Sequence, residues 1–180
     1  MEDASNVFVC VIDLQEKLLP AQNRPTELLQ RVKVMLGGAR ALEIPFVAAR
    51  QYPQGLGDLV PEVKELLPED AWVADKVTFS GFGCPDFRDA VSRLQRKQMI
   101  LLGIETHICV QQTALDALKL GYEVYLAEDC TDSRHEYNRA AGISFMRESG
   151  VKIATSEMLL FQLLHDSRHP AFKTISRLVR

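Results

Sequence analysis

Three polar residues, each at or just beyond the end of a short apolar run, could together carry out nucleophilic catalysis. They are Asp13, Lys76 and Cys109. A thiol with an ordinary pKa near ~8.5 reacts as its thiolate, so it needs a base to accept its proton and a positive charge nearby. Asp13 could be that base, and Lys76 could supply that charge. The corresponding reaction class is acyl transfer.

Cys109 also stands at the start of a segment of helical period, Val110–Leu120. A helix N-terminus lowers the pKa of a thiol and offers backbone N–H groups to an oxyanion. Each of the three residues nevertheless has a purely structural interpretation. An aspartate after a strand often caps a helix, a lone lysine in a loop is usually solvated, and cysteine is often buried and inert.

The elements that must position these residues form a β-α alternation. The predicted strands are Val7–Asp13, Pro45–Ala49, Trp72–Lys76, Gln98–Leu102, Glu123–Ala127 and Lys152–Thr155. The predicted helices are Glu27–Glu43, Pro85–Arg96, Val110–Leu120, Glu136–Glu148, Ser156–Leu164 and a last basic helix ending at Arg180. Continuous apolar runs are typical of parallel strands covered by helices on both faces. Ligands of such sheets collect at the carboxyl ends of the strands, where the three residues fall.

The composition is that of an ordinary globular protein. The 180 residues are 47% hydrophobic and 25% charged, which excludes a disordered chain and predicts a single domain over residues 1–180. A net charge of −3 without a basic cluster favours a small-molecule partner over nucleic acid. The longest apolar runs are about six residues, against the ~20 of a membrane span, and no targeting segment precedes Val7. We expect a cytoplasmic protein that binds no membrane.

The four cysteines show no C-x-x-C spacing, which excludes a disulfide scaffold and a zinc site and suits a reducing compartment. Cys84 precedes Pro85 at a predicted helix start, so it is a rival nucleophile and a candidate for a redox role. Cys130 lies among carboxylates, which oppose thiolate formation, and Cys10 is predicted to be core. The chain contains neither glycine-rich nucleotide motif, so no nucleotide cofactor is predicted.

Four motifs in order along nearly the whole chain carry a family resemblance. They are Val11-Ile-Asp-Leu-Gln15, Gln51-Tyr-Pro-Gln-Gly-Leu-Gly57, Lys76-Val-Thr-Phe-Ser-Gly-Phe82 and Gly103-Ile-Glu-Thr-His-Ile-Cys-Val110. The chain thereby resembles the isochorismatase-like cysteine hydrolases, which include nicotinamidases, N-carbamoylsarcosine amidohydrolases and YcaC-like proteins. Its Gln-Tyr-Pro and Ser-Gly-Phe pieces look most like the isochorismatase domain-containing branch.

The resemblance implies an α/β fold, a three-layer α-β-α sandwich whose six-stranded parallel sheet has its first and fourth strands adjacent. It also implies that Asp13 is the base, that Lys76 orients and stabilises, and that Cys109 attacks a carbonyl carbon to form a thioester-like intermediate. The backbone N–H groups of Glu105 and Cys109 would form the oxyanion hole. A cis peptide bond is expected between Ile104 and Glu105.

Differences between this sequence and those of nicotinamidases and isochorismatases limit the reactions that we expect it to catalyse. Nicotinamidases that resemble this chain hold a metal with an Asp-x-His and a further histidine, whereas Ala49-Arg-Gln-Tyr52 stands here and the first histidine is His107. The comparison implies neither metal nor other cofactor. Isochorismatases generally lack the cysteine, so Cys109 disfavours isochorismate as the substrate. Residues that could line a small pocket are Gln15, Gln51, Tyr52, Phe79, Phe82 and His107, although Phe79 and Phe82 could instead be core or subunit contacts.

The sequence thus predicts a metal-independent cysteine hydrolase of a small amide or related acyl compound, in a homo-oligomer. One alternative is a non-catalytic or redox-responsive protein that retains the pocket for binding or assembly. A second is nucleic-acid processing, which no motif supports. The substrate and the number of subunits stay open.

Overall fold

The chain forms one six-stranded parallel sheet in the order β3-β2-β1-β4-β5-β6. The computed structural model describes residues 4–180. Its strands are β1 (Val7–Ile12), β2 (Phe46–Gln51), β3 (Trp72–Lys76), β4 (Gln98–Ile104), β5 (Glu123–Asp132) and β6 (Lys152–Ala154). The predicted adjacency of the first and fourth strands is confirmed. Because the strand order reverses at β1, a crevice is expected between the carboxyl ends of β1 and β4.

Helices cover both faces of the sheet, which confirms the three-layer architecture. They are α1 (Pro25–Ala41), α2 (Pro53–Leu56), α3 (Pro61–Lys64), α4 (Pro85–Arg93), α5 (Gln111–Lys119), α6 (Glu136–Glu148), α7 (Ser156–Leu164) and α8 (Phe172–Leu178). The side chains of β1 alternate between two apolar cores: Val7, Val9 and Val11 pack with α1, α7 and α8, and Phe8, Cys10 and Ile12 pack with α4, α5 and α6. Cys10 is fully buried, as predicted, and Cys130 is fully buried as well. No helix in residues 4–180 meets the length and apolarity that a membrane crossing requires.

The fifth strand is longer than the sequence predicts, because it contains a bulge. Leu101 pairs with Leu126, but Gly103 pairs with Thr131, so β5 continues past Ala127 after an irregular stretch. The charged residues of that stretch have specific partners. The Asp129 carboxylate accepts bonds of 2.6 Å from the backbone N–H and the hydroxyl of Ser156. These partners let a strand continue through residues that resemble a loop in the sequence.

A close backbone approach joins β1 and β4 just before the candidate site. Gly103 pairs with Ile12, has φ +121°, and would place a Cβ atom 2.0 Å from the carbonyl oxygen of Ile12. Only glycine fits at such a contact. Asp13, the first residue after β1, also has a positive φ, of 54°.

Candidate active site

Asp13 and Lys76 form a buried ion pair at the carboxyl edge of the sheet. Lys76 Nζ lies 2.7 Å from Asp13 Oδ2, and both side chains are 0% exposed. Burial raises the pKa of the Asp13 carboxyl, and the Lys76 ammonium opposes that rise. The second carboxylate oxygen, Oδ1, is buried and has no hydrogen-bond partner within residues 4–180. The pair therefore retains an unused acceptor.

The Lys76 ammonium is surrounded by further oxygen atoms. Its Nζ donates to Gln51 Oε1 at 2.6 Å, to the Phe79 carbonyl at 3.1 Å and to the Thr78 carbonyl at 3.3 Å. An ammonium has three hydrogens and accepts no hydrogen bond. With four oxygen atoms around it, Lys76 is suited to act as a fixed positive charge and not as a proton carrier.

Cys109 lies in a π-helical turn, Thr106–Val110, between β4 and α5, and is 8% exposed. Burial, and then the negative charge of Asp13, raise the pKa of the Cys109 thiol to about 12, whereas Lys76 lowers it. The expected lowering of this pKa at a helix start is not found, because burial and the carboxylate raise it. The thiol is protonated at neutral pH and must lose its proton as it attacks.

The turn that carries Cys109 folds back on Glu105. The peptide bond between Ile104 and Glu105 is cis, at the position where the resemblance implies one. The Glu105 carbonyl accepts hydrogen bonds from the N–H groups of Ile108 (3.0 Å) and Val110 (3.2 Å). The Glu105 carboxylate accepts from Arg134 Nε at 3.1 Å and from its backbone N–H at 3.0 Å. Glu105 and Cys109 thus border the same turn.

Gln15 is fully buried and bound to backbone groups, so the prediction that it contacts substrate needs correction. Its Oε1 accepts from the backbone N–H of Gln51 at 2.7 Å. Its Nε2 donates to the carbonyls of Gln51 at 3.0 Å and Gly57 at 2.8 Å. With both amide donors used and a relative exposure of 0%, Gln15 ties the loop after β1 to the loop after β2.

Phe82 is also misassigned as a pocket residue. Its ring is 6% exposed. It packs edge-on against Phe87, with ring centroids 5.4 Å apart, and it also contacts Tyr122, with ring centroids 5.7 Å apart. It belongs to the core between the sheet and α4, which is the structural alternative raised for it. The aromatic spacing in the sequence could not reveal which way the ring points.

Two other predicted pocket residues do reach the surface near the ion pair. Tyr52 is 53% exposed and its backbone N–H donates to the Lys76 carbonyl at 2.9 Å. Phe79 is 54% exposed, and its carbonyl binds the Lys76 ammonium. Val77, which the sequence analysis did not single out, is 78% exposed between them in the chain. The backbone of each of these three residues lies next to Lys76 along the chain or through a hydrogen bond, and we call the three exposed side chains the apolar rim.

His107 lies in the same π-helical turn as Cys109. Its Nδ1 is 2.9 Å from the Ser133 hydroxyl, and burial lowers the pKa of the imidazole. Ser133 and Arg134 directly follow β5 and were missed by the sequence analysis. The strand-end rule would have found them had the fifth strand been predicted to reach Asp132.

A model of the isochorismatase domain matches residues 7–158. The matched segment contains Asp13, Lys76 and Cys109. The chain belongs to the isochorismatase family. The resemblance stated from the four motifs is confirmed.

A named relative of this isochorismatase-family chain is longer than the chain. Isochorismatase domain-containing protein 1 of Salmo salar is 38% identical over 178 residues, which are 98% of this chain but 62% of that protein. The chain therefore spans less than two thirds of that relative.

Solved structures share the whole fold. The MAR1 ribonuclease of Caenorhabditis elegans has a TM-score of 0.93 and 34% identity, over 98% of this chain and 91% of that one. YcaC of Escherichia coli, described as an octameric hydrolase of unknown specificity, has a TM-score of 0.92 and 25% identity, over 98% and 87%. YcaC of Pseudomonas aeruginosa, with hexane-2,5-diol and covalent acrylamide, has a TM-score of 0.90 and 25% identity, over 98% and 94%.

The loop after β2, where nicotinamidase-like sequences carry metal ligands, makes other bonds in this isochorismatase-family chain. Arg50 binds the carboxylates of Asp58 and Asp75, each at 2.8 Å, and Gln51 binds Lys76. Among residues 4–180, no three histidine, cysteine, aspartate or glutamate side chains are grouped as a metal site.

The rival nucleophile Cys84 lies elsewhere. It is the N-cap of α4, is 8% exposed, and its sulfur donates to the Asp75 carbonyl at 3.4 Å. It therefore has a backbone carbonyl as its neighbour, whereas Cys109 has a carboxylate and an ammonium acting on it.

Proposed function

We propose that this isochorismatase-family protein is a metal-independent cysteine hydrolase that cleaves a small amide or related acyl compound. The observation that carries the proposal is the buried Asp13–Lys76 pair, whose unused Asp13 Oδ1 lies in the same site as the Cys109 thiol. A carboxylate with a free oxygen and a raised pKa is better suited to accept a proton from a thiol than an ordinary aspartate is.

The proposed reaction has two halves. The sulfur of Cys109 attacks the carbonyl carbon while its proton passes to Asp13, and the resulting oxyanion is bound by the backbone N–H groups of Glu105 and Cys109. The C–N bond then breaks, and Asp13 returns the proton to the departing amine. Water attacks the thioester with Asp13 as the base, which releases the acid and restores the thiol. Lys76 keeps its proton throughout and stabilises the negative charge on Asp13.

Two features near the ion pair favour a small substrate without a negative charge. Lys76 is occupied by Asp13, so it is not free to bind an anionic group, and the apolar rim of Tyr52, Val77 and Phe79 offers contact to an apolar one. The related YcaC protein of Pseudomonas aeruginosa is described with covalent acrylamide, an electrophile to which nucleophilic side chains add, which is consistent with a reactive nucleophile in the family. The octameric relative supports a homo-oligomer. The four free thiols suit a reducing cytoplasm.

The test is release of ammonia from a panel of small primary amides, including nicotinamide, together with intact-mass detection of an acyl adduct. We expect turnover by the wild-type protein and by Cys84→Ala, and none by Cys109→Ala. An adduct should appear on Cys109 when deacylation is slowed. Binding without turnover by the wild-type protein would favour the alternative of a binding protein.

Because the C. elegans relative is named a ribonuclease, the test also includes an RNA substrate. Single-stranded RNA is incubated with wild type and Cys109→Ala under the same conditions. We expect no cleavage by either protein. RNA cleavage that survives in Cys109→Ala, without amide hydrolysis by the wild type, would reject the proposed function.

A further inference from the structure

The last residue of β2, Gln51, holds the lysine of the site through its amide side chain. Gln51 Oε1 is 2.6 Å from Lys76 Nζ, slightly closer than Asp13 Oδ2 at 2.7 Å. Gln51 Nε2 donates to the Val77 carbonyl at 3.0 Å. The second bond orients the amide, because only the oxygen can then face the ammonium. Gln51 is thus a directed acceptor and not a side chain that happens to lie nearby.

Gln51 is in turn fixed by Gln15. The amide of Gln15 makes one bond to the Gln51 N–H and one to the Gln51 carbonyl, and a third bond to the Gly57 carbonyl. Gln15 follows Asp13 by two residues, so its bonds set the position of the second loop relative to the carboxylate. The loop after β1 and the carboxyl ends of β2 and β3 are therefore connected by one chain of bonds that runs from Gln15 through Gln51 to Lys76.

We infer that Gln51 is a positioning residue for Lys76, and that Gln15 acts on Lys76 through Gln51. This inference rests on the proposed function only for its role in turnover, since the effect on the Cys109 thiol needs no substrate. A buried ammonium depends on its acceptors, because an unpaired charge is costly away from water. When the Gln51 oxygen is removed, the Lys76 ammonium loses one of its four acceptors and shifts toward the carbonyls of Thr78 and Phe79. This shift weakens the positive potential that acts on Cys109.

The experiment measures the rate of Cys109 alkylation by iodoacetamide between pH 7 and pH 9, read by peptide mass spectrometry on the full chain. The test variant is Gln51→Met, which keeps the length of the side chain and removes the acceptor. We expect alkylation to be slower by about tenfold, equivalent to a thiol pKa higher by about one unit. The matched control is Gln54→Met, the same substitution at an exposed position of α2, for which we expect the wild-type rate.

A double-mutant cycle tests whether Gln51 acts through Lys76. Because interacting residues give non-additive effects, Gln51→Met should have no further effect in a Lys76→Met background. If Lys76→Met does not fold, as judged by its circular dichroism, the cycle is run with Gln15→Met. In that case the double variant should react no more slowly than the slower single variant.

Two results would overturn the inference. One is a wild-type alkylation rate in folded Gln51→Met. The other is an equal slowing by Gln51→Met with and without Lys76, which would indicate a general loosening of the site. These outcomes are independent of the amide assay. If Gln51 and Lys76 are coupled in the alkylation assay but the wild-type protein hydrolyses no amide, only the proposed function is rejected. If the protein hydrolyses an amide but the two residues are not coupled, only the positioning role is rejected.

Discussion

Replacing Asp13 by asparagine should change turnover and thiol reactivity in opposite directions. The substitution keeps the shape of the side chain, and asparagine tolerates the φ of 54° at this position. It removes both the base of the proposed reaction and the negative charge beside Cys109. Loss of a general base slows a reaction by about 10²–10⁴-fold, so amide hydrolysis should fall by that factor.

The effect on the resting thiol has the opposite sign. The pKa of Cys109 is raised from 9.0 to about 12, with burial as the first cause and the charge of Asp13 as the second. If the charge accounts for about one unit of that rise, its removal increases the thiolate fraction about tenfold at any pH below the pKa. The Lys76 ammonium, left without its carboxylate, would also stabilise the thiolate. Alkylation of Cys109 should therefore become about tenfold faster.

The assay is iodoacetamide labelling of Cys109 at pH 8, followed by peptide mass spectrometry. The matched control is Asp75→Asn, which removes an aspartate whose side chain is 49% exposed and pairs with Arg50. We expect both rates to be unchanged in that control. Breaking a buried ion pair costs about 3–5 kcal/mol of unfolding free energy, so the variant is first checked by thermal melting.

Slower alkylation in folded Asp13→Asn would refute this reasoning. It would mean that the carboxylate activates the thiol in the resting state, and that the raised pKa of Cys109 is not what limits its reactivity. Unchanged amide turnover in the same variant would remove Asp13 from the role of base.

Three further outcomes follow from the contacts of single residues. Gly103→Ala should prevent folding or lower the free energy of unfolding by more than ~4 kcal/mol, as measured by thermal melting, because its Cβ would lie 2.0 Å from a backbone oxygen. A near-normal melting curve would show that β1 and β4 can separate. Phe82→Ala should cost about 3–5 kcal/mol in urea unfolding, whereas Phe79→Ala, at 54% exposure, should cost less than ~0.5 kcal/mol; equal costs would contradict the assignment of Phe82 to the core. The pKa of Asp58 is lowered to about 2 by hydrogen bonds from a lysine and an arginine, so its stabilisation is present above pH ~4 and is lost between about pH 4 and 2; because Asp58 is partly exposed, Asp58→Asn should reduce the acid sensitivity of unfolding by about 1 kcal/mol or less.

The β-α alternation could be predicted because it depends on local pattern. All six strands overlap the predicted runs, and helices α6 and α7 begin and end where predicted. The end of β5 could not be predicted, because its charged residues are compatible with a strand only through distant partners. Asp129 needs Ser156. The sequence pattern contains no sign of that partner.

The candidate site shows the same division. The strand-end rule singled out Asp13, Lys76 and Cys109, and the structure brings their charges within reach of one another. The family motifs suggested Gln15 as a substrate contact, where the structure shows an amide whose donors are both used. Whether a polar side chain faces a ligand or its own backbone depends on how two loops pack, and the two glutamines of this site are 36 residues apart in the chain.

The sequence by itself determined the family, the alternation of strands and helices, and the residue types that could perform acyl transfer. Only the tertiary structure decided the protonation state of the nucleophile and the roles of the amides around it. The physical reason is that a pKa depends on burial and on the distance to other charges. Asp13 and Lys76 are 63 residues apart in the chain but 2.7 Å apart in the fold, and no local pattern contains that distance.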